Sequence, residues 1–541
     1  MKNKKYLLIF FVVIIAVSFA FKQSPFFEIA KQIEIYNNLF KELNINYINE
    51  INPGDLMDLS IKNTLKNLDP YTNFYNEQDV EDAKIKRAGE YGGIGVSTYY
   101  DTGQITIAEV YQGFAADKAG IKAGDVITTI NGQDLKGLEK EQLSSLLKGL
   151  PNKSLSLTVN RGNQTLNFSL NLDKVIINPV PFFDMIDAET GYVVLTRFNE
   201  KASFEVKEAI QALKEKGMKK MVFDLRGNPG GSLFESINIV NFFVPEGSKI
   251  VETRGKTNNN SRTYTGNNPA LDLEMPIAVL INGRSASASE IVSGSLQDYD
   301  RAVIIGQRSF GKGLVQRYFK LNYGTQLKAT ISKYYTPSGR CIQELDYANR
   351  DSKTGKVPKF SDGNINSFTT KNNRAVYDGG GITPDVEMDY SKPTDETKEL
   401  LQTRAIFNFA TDFLRKKKSI DQDFVVSDNV FNEFKNYLQT QDTSFVSNQE
   451  KMFKKAYKEV KSNNNIVKDY QNIMRQLKVE KIKDISKNED ILKEMLQNEI
   501  VKQQYYKKGM YKNHLKNDKT IQKAVEILAD TQKYKQILAQ K

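Results

Sequence analysis

The segment "KMVFDLRGNPGGSLFESINIVNFF", residues 220–243, contains a strand, a turn and a helix in succession. Its short apolar run "KMVFDLR" is typical of a buried strand, and the glycine-rich "GNPGGS" that follows is typical of a turn. Strand and helix patterns also alternate downstream, where the apolar runs "PIAVLIN" and "AVIIG" flank a stretch with helical character. This alternation predicts an α/β layer fold with a buried sheet.

The pattern changes on both sides of the α/β region, which indicates a multidomain protein. Residues 91–175 are rich in β-branched and aromatic residues with turn glycines, and predict a compact β-rich module. Apolar residues at helical spacing predict a helical region at 23–90, before this module. We expect the α/β core at 176–390 and a lysine-rich helical domain at 391–541, where proline is absent after Pro393. The polar residues 347–373 are expected to form a surface loop.

Residues 1–22 have the pattern of an export signal. Three lysines precede the apolar run 6–21, which is interrupted by one serine. The run is shorter than the ~20 residues that a membrane-spanning helix needs. It therefore favours a cleaved secretory signal, with an uncleaved inner-membrane anchor as the alternative. Either interpretation predicts an exported protein of the periplasm or cell envelope.

The composition restricts the chemistry that the chain can perform. One cysteine, Cys341, excludes a disulfide within the 541-residue chain, and one histidine, His514, lies in the lysine-rich tail. A Ser-His-Asp triad or a histidine-based metal site would have to use that single residue. Acid–base chemistry is therefore expected from Lys, Asp, Glu or Tyr, without metal or other cofactor.

The charge of the chain suggests what surrounds it. The net charge is +11, and lysine is concentrated near the end of the sequence. Such a basic domain favours an anionic neighbour, either a membrane surface or an acidic partner. We find no motif that reads DNA or RNA, and we expect no nucleic acid partner. A homo-oligomer is left open.

Two strand-to-helix junctions could carry chemistry, because sites in α/β folds lie where strands end. At the first, residues 223–232, glycines would let backbone N–H groups converge on an oxygen, unless they form only a tight turn. The second, residues 282–290, holds three serines. Ser287 and Glu290 have the spacing of a capping box, so Ser287 is either a helix cap or a nucleophile at the head of the helix.

The segment "GQRSFGKG", residues 306–313, is close to a phosphate-binding loop but lacks its last residue. Gly313 stands where a Ser or Thr would hold magnesium, and no apolar strand ends in a magnesium-holding Asp. These departures disfavour a P-loop ATPase, which stays as a second rival and predicts binding of an ATP analogue. Lys312 lies between an apolar strand and a β-rich stretch, a context that favours partial burial. It could be a catalytic base or an ordinary surface lysine.

Five motifs in order resemble one family. They are "DLRGNPGGSL", "SASASEIVSGSLQD", "GQRSFGKGLVQ", "YYTPSGRCIQ" and "GGGITPD". Over about residues 35–390 the chain resembles the carboxyl-terminal processing peptidases, also called tail-specific proteases. The resemblance implies a ClpP/crotonase-like serine peptidase core at 176–390 with an inserted PDZ domain at 91–175. It does not extend over the tail, which we expect to be helical and dispensable for the chemistry.

The resemblance also implies a catalytic set. The nucleophile would be Ser287, the base Lys312, and the side chain that orients the base Gln316. The backbone oxyanion donors would be Ala288 and either Gly230 or Gly231. A free lysine has a pKa of about 10.4 and is charged near pH 7. Burial would have to lower the pKa of Lys312 to roughly 7–8 for it to act as a base.

The PDZ resemblance implies a peptide site in the loop "GGIGV", residues 92–96. Its carboxylate-binding residues would be Gly93, Ile94, Gly95 and Val96, with backbone N–H groups holding a terminal carboxylate beside a strand edge. Without the resemblance, the same loop could be a plain hairpin turn. The predicted partners are proteins with free C-termini. The predicted function is that of a serine endopeptidase with a Ser-Lys dyad that processes or degrades envelope proteins; the alternative is a non-catalytic PDZ scaffold.

Overall fold

A computed structural model describes residues 25–363, 365–389, 392–440, 445–460 and 464–539. The predicted signal or anchor at residues 1–22 lies outside these ranges. Among the described helices, none is both long and apolar enough to cross a membrane. The chain divides into two compact units, one ending at Phe74 and one beginning at Tyr75.

In the first unit, the described residues from Pro25 onward form two helices, α1 (Pro25–Asn46) and α2 (Pro53–Lys66). The side chain of Asn52 accepts a hydrogen bond from the N–H of Gly54 (2.9 Å) and so caps α2, whose first position is a proline. Several large apolar side chains of α1 face solvent. Strand β1 (Asn73–Tyr75) spans the boundary between the two units.

The β-rich module follows helix α3 (Glu77–Ala88). Its strands and helices are β2 (Glu90–Gly93), β3 (Val96–Asp101), β4 (Gln104–Val110), α4 (Ala115–Lys118), β5 (Val126–Ile130), β6 (Gln133–Asp134), α5 (Lys140–Leu146), β7 (Ser154–Arg161), β8 (Gln164–Asn171) and β9 (Asp173–Ile176). The main sheet has the order β3-β4-β5-β7-β8, so β3 is an edge strand. Alternate residues of its strands, such as Ile105 and Ile107, are fully buried in a core of their own.

The predicted α/β core is built on a six-stranded sheet with the order β10-β11-β12-β15-β16-β21. Its elements, with the connecting ones, are β10 (Phe182–Met185), β11 (Thr190–Val194), α6 (Ala202–Glu215), β12 (Lys220–Asp224), α7 (Leu233–Asn241), β13 (Lys249–Gly255), β14 (Arg262–Thr265), β15 (Ile277–Ile281), α8 (Ala288–Asp298), β16 (Val303–Gly306), β17 (Leu314–Lys320), β18 (Gln326–Tyr335), β19 (Ser367–Thr369), β20 (Ala375–Tyr377) and β21 (Val386–Glu387). From β11 to β21 the pairing is parallel.

Parallel pairing places the carboxyl ends of β12 and β15 at one edge of the sheet. Both predicted junctions therefore lie side by side, since each follows one of these strands. Helices α6, α7 and α8 cover one face of the sheet, and their apolar residues form its largest core. Strands β13, β14, β17 and β18 belong to a separate antiparallel sheet. Residues 347–373 are largely exposed, as expected of a surface loop.

The tail is helical, as predicted. Its helices are α9 (Asp395–Leu401), α10 (Ala405–Lys417), α11 (Asp428–Thr440), α12 (Asn448–Val460), α13 (Asn464–Ile485), α14 (Glu489–Asn517), α15 (Lys519–Ala529) and α16 (Thr531–Leu538). A core rich in phenylalanine joins α10 and α11 to α14. The tail thus has an interior of its own.

The last helices of the tail cover the second face of the six-stranded sheet. Ile521 and Ile527 of α15 are fully buried against strand residues that include Val222 and Leu280. The hydroxyl of Tyr534 in α16 accepts a hydrogen bond from the N–H of Ile277 (3.0 Å). A parallel sheet needs cover on both faces, and here the tail supplies one of the two. This packing argues against the expectation that the tail is dispensable.

We predict that weakening the contact between α15 and the sheet destabilises the compact unit that begins at Tyr75. Ile527→Ala should lower the free energy of unfolding by about 2–5 kcal/mol, because it leaves a cavity at a fully buried site. Thermal unfolding followed by circular dichroism measures the effect. The exposed Gln522→Ala on the same helix should change the stability by no more than about 0.5 kcal/mol. A chain ending at residue 390 that still unfolds cooperatively as a monomer would contradict this account.

Candidate active site

The structure separates the three serines of the second junction by their environment. Ser285 and Ser289 are fully buried, and their hydroxyls donate to the carbonyls of Leu225 (2.8 Å) and Asn228 (2.9 Å). These two hydrogen bonds join the second junction to the first. Ser287 lies between them and is partly exposed. Of the three serines, Ser287 is the one that is accessible from solvent.

Ser287 has an unusual backbone conformation. Its φ of 56° and ψ of −112° lie outside the regions that L-residues ordinarily adopt. A conformation of this kind costs about 1–3 kcal/mol and persists where the surroundings enforce it, often at functional sites. The residue ends the turn between β15 and α8, and α8 begins at Ala288. A strained turn between strand and helix is how α/β-hydrolases expose a nucleophilic serine.

The carboxylate of Glu290 connects this turn to the loop that carries Lys312. Its Oε1 accepts hydrogen bonds from the hydroxyl of Ser309 (2.5 Å) and the N–H of Gly311 (2.7 Å). Its Oε2 accepts from the N–H of Ser287 (2.7 Å) and the N–H of Lys312 (2.9 Å). The amide nitrogens of Ser287 and Lys312 therefore lie no farther apart than the sum of these two distances. One oxygen atom brings the predicted nucleophile and base segments together.

Glu290 is fully buried, so its four hydrogen bonds matter for stability as well as for geometry. Burial raises the pKa of Glu290, and the hydrogen bonds from Ser309, Gly311, Lys312 and Ser287 act in the opposite direction. The bond to the Ser287 N–H is the one that the capping-box spacing predicts. The other three come from residues 19 to 22 positions away, and sequence reasoning missed them.

Lys312 is held between two closely packed glycines. A Cβ at Gly311 would lie 2.7 Å from the Cβ of Glu344, and one at Gly313 would lie 2.8 Å from the backbone nitrogen of Gln343. The N–H of Gly313 also donates to the Oε1 of Gln343 (2.8 Å). Glycine is required here because the loop approaches residues 343–344 so closely. The side chain of Lys312 is partly buried.

Tyr334 was not predicted as a site residue. Its hydroxyl donates to the carbonyl of Ser287 (3.2 Å), and its N–H donates to the carbonyl of Gly313 (2.9 Å). Burial raises the pKa of Tyr334 well above its usual 10, which keeps the hydroxyl a hydrogen-bond donor. Gln316 lies on the neighbouring strand, where its Nε2 donates to the Oγ1 of Thr330 (3.3 Å). Its role in orienting Lys312 stays a prediction.

The glycine turn of the first junction packs directly against the head of α8. A Cβ at Gly230 would lie 2.9 Å from the backbone nitrogen of Ala288 and 2.9 Å from the Cβ of Ser287. Only glycine allows such an approach. The predicted oxyanion donors and the predicted nucleophile are therefore neighbours in the fold.

Asn228 holds this turn in place and was also missed in the sequence. It is fully buried; its Nδ2 donates to the carbonyl of Leu195 (2.7 Å) and its Oδ1 accepts from the N–H of Gly230 (2.9 Å). Its own carbonyl accepts from the N–H of Ala286 (3.0 Å) and the hydroxyl of Ser289. The available signal was a polar residue inside the glycine-rich turn that follows a buried strand.

The predicted carboxylate-binding loop lies at the start of edge strand β3. Gly93, Ile94 and Gly95 are buried, and Val96 is partly exposed. Gly95 has a φ of 78°, and a Cβ there would lie 2.3 Å from the Cβ of Phe114. Helix α5 packs against β3, as a PDZ groove formed by a strand and a helix requires.

Comparison with known proteins agrees with this architecture. The chain matches Peptidase family S41 over residues 189–348, a PDZ domain over 82–160, and the family "Probable PDZ-protease, C-terminal helical domain" over 396–528. It is 34% identical over 319 residues to a carboxy-terminal-processing protease of Bartonella bacilliformis, which covers 58% of this chain and 73% of that protein. It is 31% identical over 330 residues to a probable CtpA-like serine protease of Staphylococcus aureus, covering 61% and 66% respectively.

Among solved structures, the photosystem II D1 C-terminal processing protease is similar, with 26% identity, coverage of 64% of this chain and 85% of that chain, and a TM-score of 0.37. The family and sequence matches define a serine-type peptidase with a PDZ domain and a helical C-terminal domain. The chain belongs to peptidase family S41, among the carboxy-terminal-processing proteases.

These matches confirm the predicted family and the predicted class of enzyme, and favour them over a non-catalytic PDZ scaffold. They correct one expectation, that the resemblance ends near residue 390. The helical tail from residue 396 to 528 has counterparts among PDZ-proteases. It is therefore part of a known domain arrangement.

We predict that Glu290→Gln disrupts the site although it changes only one atom. A glutamine amide cannot accept four hydrogen bonds, so buried N–H groups lose their partner at about 1–3 kcal/mol each. Stability and kcat should both fall, because the segments of Ser287 and Lys312 lose their common acceptor. Thermal unfolding and peptide turnover measure the two effects.

Glu205→Gln is the matched control for this prediction. Glu205 is half-buried with a pKa that burial raises, and it accepts a hydrogen bond from the N–H of Val180 (3.2 Å), away from the site. Its replacement should leave kcat within about twofold, as expected of a change that touches no catalytic group. Equal losses of kcat in the two variants would contradict the special role of Glu290.

Proposed function

We propose that this peptidase cuts peptide bonds with Ser287 as nucleophile and Lys312 as general base. Ser287 attacks the peptide carbonyl while the Lys312 amine takes its proton and then returns it to the leaving amine. Water hydrolyses the resulting acyl-enzyme and releases Ser287. The observation that carries this proposal is the shared Oε2 of Glu290, which accepts from the backbone N–H of both residues.

The location of His514 supports lysine as the base. This histidine lies in α14 of the tail, with its Nε2 hydrogen-bonded to the Oδ1 of Asn498 (2.7 Å). Burial lowers the pKa of His514, and its charged neighbours are Asp518, Arg226 and Asp224. Tyr511 and Leu515, on the same helix as His514, pack on one face of the sheet, whereas the helix that follows Ser287 packs on the opposite face.

We further propose that Gly231, with Ala288, donates to the oxyanion. The N–H of Gly230 is already used by the Oδ1 of Asn228 (2.9 Å). The carbonyl of Gly230 accepts from the N–H of Phe198 (3.1 Å). Because the peptide bond is trans, the N–H of Gly231 points away from Phe198. That leaves Gly231 N–H available beside the N–H of Ala288 at the positive end of α8.

We expect three substitutions to remove the peptidase activity in the same way. Ser287→Ala loses the nucleophile, and Lys312→Ala loses the base. Lys312→Arg keeps a charge that cannot accept a proton. Each should lower kcat by at least about 10³-fold, and the Ser287→Ala/Lys312→Ala double variant should be little worse. In the wild-type enzyme, kcat should rise with pH through the lysine's titration.

Peptide turnover across pH, with circular dichroism to check folding, tests the dyad. A folded Lys312→Arg enzyme with near-normal turnover would contradict the assignment of Lys312 as the general base. Labelling with a serine acylator adds an independent readout. Wild-type enzyme should be labelled and Ser287→Ala should not.

We also propose that the PDZ domain captures the C-terminus of the substrate and presents the chain to Ser287. The loop Gly93–Val96 would bind the terminal carboxylate, and the free edge of β3 would pair with the peptide backbone. In this structure the hydroxyl of Tyr91 donates to the carbonyl of Val96 (3.4 Å), a contact at the same edge. A bound peptide would compete for that carbonyl wherever it pairs along β3.

Amidating the C-terminus of a peptide substrate should therefore weaken binding. The amide loses the charge-assisted hydrogen bonds of the carboxylate, so its affinity should fall about tenfold or more. Fluorescence anisotropy with matched acid and amide peptides, both with an apolar last residue, measures the difference. Ser287→Ala enzyme prevents cleavage during the measurement. Equal affinities would remove the loop from carboxylate recognition.

The proposed location is the cell envelope. The support is the run 6–21 of apolar residues after three lysines, and the charge of +11 favours an anionic surface or an acidic partner near the tail. N-terminal sequencing of the mature protein distinguishes a cleaved signal from a retained anchor. The proposed substrates are accordingly exported proteins with free C-termini.

A further inference from the structure

Arg226 lies in the turn after β12 and pairs with two buried aspartates, one at the end of β12 and one in the tail. Its Nη2 lies 2.6 Å from the Oδ2 of Asp224, and its Nη1 lies 2.8 Å from the Oδ2 of Asp518 in the tail. The side chain of Arg226 is 15% exposed and those of both aspartates are 6% exposed. An arginine suits this position because its planar fork can face two carboxylates at once.

Asp518 both caps a helix and forms an ion pair. Its Oδ1 caps α15 by accepting from the N–H groups of Thr520 (2.8 Å) and Ile521 (3.0 Å), while its Oδ2 faces Arg226. Burial raises the pKa of Asp518, but the charge of Arg226 and the hydrogen bonds from Ile521 and Arg226 outweigh it and hold the pKa below its usual range. The carboxylate that begins α15 therefore stays ionised beside the arginine.

Asp224 completes the cluster at the end of β12. It accepts hydrogen bonds from the hydroxyl of Tyr192 (2.7 Å) and from the N–H of Arg226 (2.9 Å). Arg226 is therefore fixed at both its backbone and its guanidinium. The next residue, Gly227, donates its N–H to the Oδ1 of Asn282 (3.0 Å), and Asn228 then holds the N–H of Gly230.

We propose that Asp518 is a positioning residue of the peptidase reaction: from the tail it holds Arg226, and through Arg226 it fixes the turn 227–231 that carries the proposed oxyanion donor. The helical C-terminal domain then contributes to kcat and not only to the fold. The inference rests on the proposed function, because it needs Gly231 and Ala288 to bind the oxyanion. A misplaced oxyanion donor weakens the transition state more than the bound substrate.

Asp518→Asn tests the charge while keeping the cap, because asparagine caps helices as well as aspartate does. We expect kcat on a fluorogenic peptide with a free apolar C-terminus to fall about 10- to 100-fold, less than the 10²- to 10³-fold loss of a whole oxyanion donor. KM should change less than about twofold, the pattern of an interaction made in the transition state. Affinity for a peptide boronate should fall by a factor similar to kcat.

Asp530→Asn is the matched control. Asp530 caps the next helix, α16, by accepting from the N–H groups of Gln532 (3.0 Å) and Lys533 (2.9 Å), and it is exposed. Its replacement should leave kcat and boronate affinity unchanged within about twofold. If Asp530→Asn lowers kcat as much as Asp518→Asn does, the effect is one of general stability and the proposal is wrong.

Arg226→Lys provides a second test should Asp518→Asn fail to fold. Lysine keeps the positive charge but cannot form the paired contacts of the guanidinium, so kcat should fall with KM nearly constant. A folded Arg226→Lys or Asp518→Asn enzyme with wild-type kcat would overturn the proposal. Ser287→Ala is assayed alongside: if it is inactive while Asp518→Asn is normal, only the role of Asp518 is lost. If Ser287→Ala is active, the proposed mechanism itself fails.

Discussion

The buried carboxylate of Glu290 is the interaction on which the catalytic geometry depends. It accepts four hydrogen bonds, two for each oxygen, from the head of α8 and from the loop after β16. The bonds from Ser309 and Gly311 are fully buried, so losing their acceptor would cost the full desolvation penalty of those donors. The strained backbone of Ser287 is fixed from both sides, with Glu290 on its N–H and Tyr334 on its carbonyl. The strain is sustained by this network.

The sheet places two polar networks at the same edge, one on each face. On the face that α6, α7 and α8 cover, hydrogen bonds of Ser285, Ser289 and Asn228 join the glycine turn to the head of α8. On the other face, Arg226 pairs with Asp224 and with Asp518 of the tail. The turn between β12 and α7 lies between the two networks. A parallel sheet makes this arrangement available, because successive strands end at one edge and both faces must be covered.

The parts of the site that were predicted from the sequence are those with local signals. The strand and helix expected around the glycine turn occur at Lys220–Asp224 and Leu233–Asn241. The bond between Glu290 and Ser287 was predicted because the partners are three residues apart, a spacing that helix geometry defines. The helical tail was predicted from its lack of proline, but the face it covers was not, since its partners lie in strands more than two hundred residues earlier.

By itself the sequence determined the α/β alternation, the helical tail, and the order of motifs that resembles the carboxyl-terminal processing peptidases. These features depend on the periodicity of apolar residues and on residues adjacent in the chain. The resemblance named Ser287, but only the tertiary structure showed the physical difference, because it buries the hydroxyls of Ser285 and Ser289 in hydrogen bonds. It also showed that the N–H of Gly230 is used by Asn228, which the sequence left open. It alone brought Asp518 to Arg226. The physical reason is the same in each case. The role of a buried polar group depends on its hydrogen-bond partner, and folding brings that partner close from a distant part of the sequence.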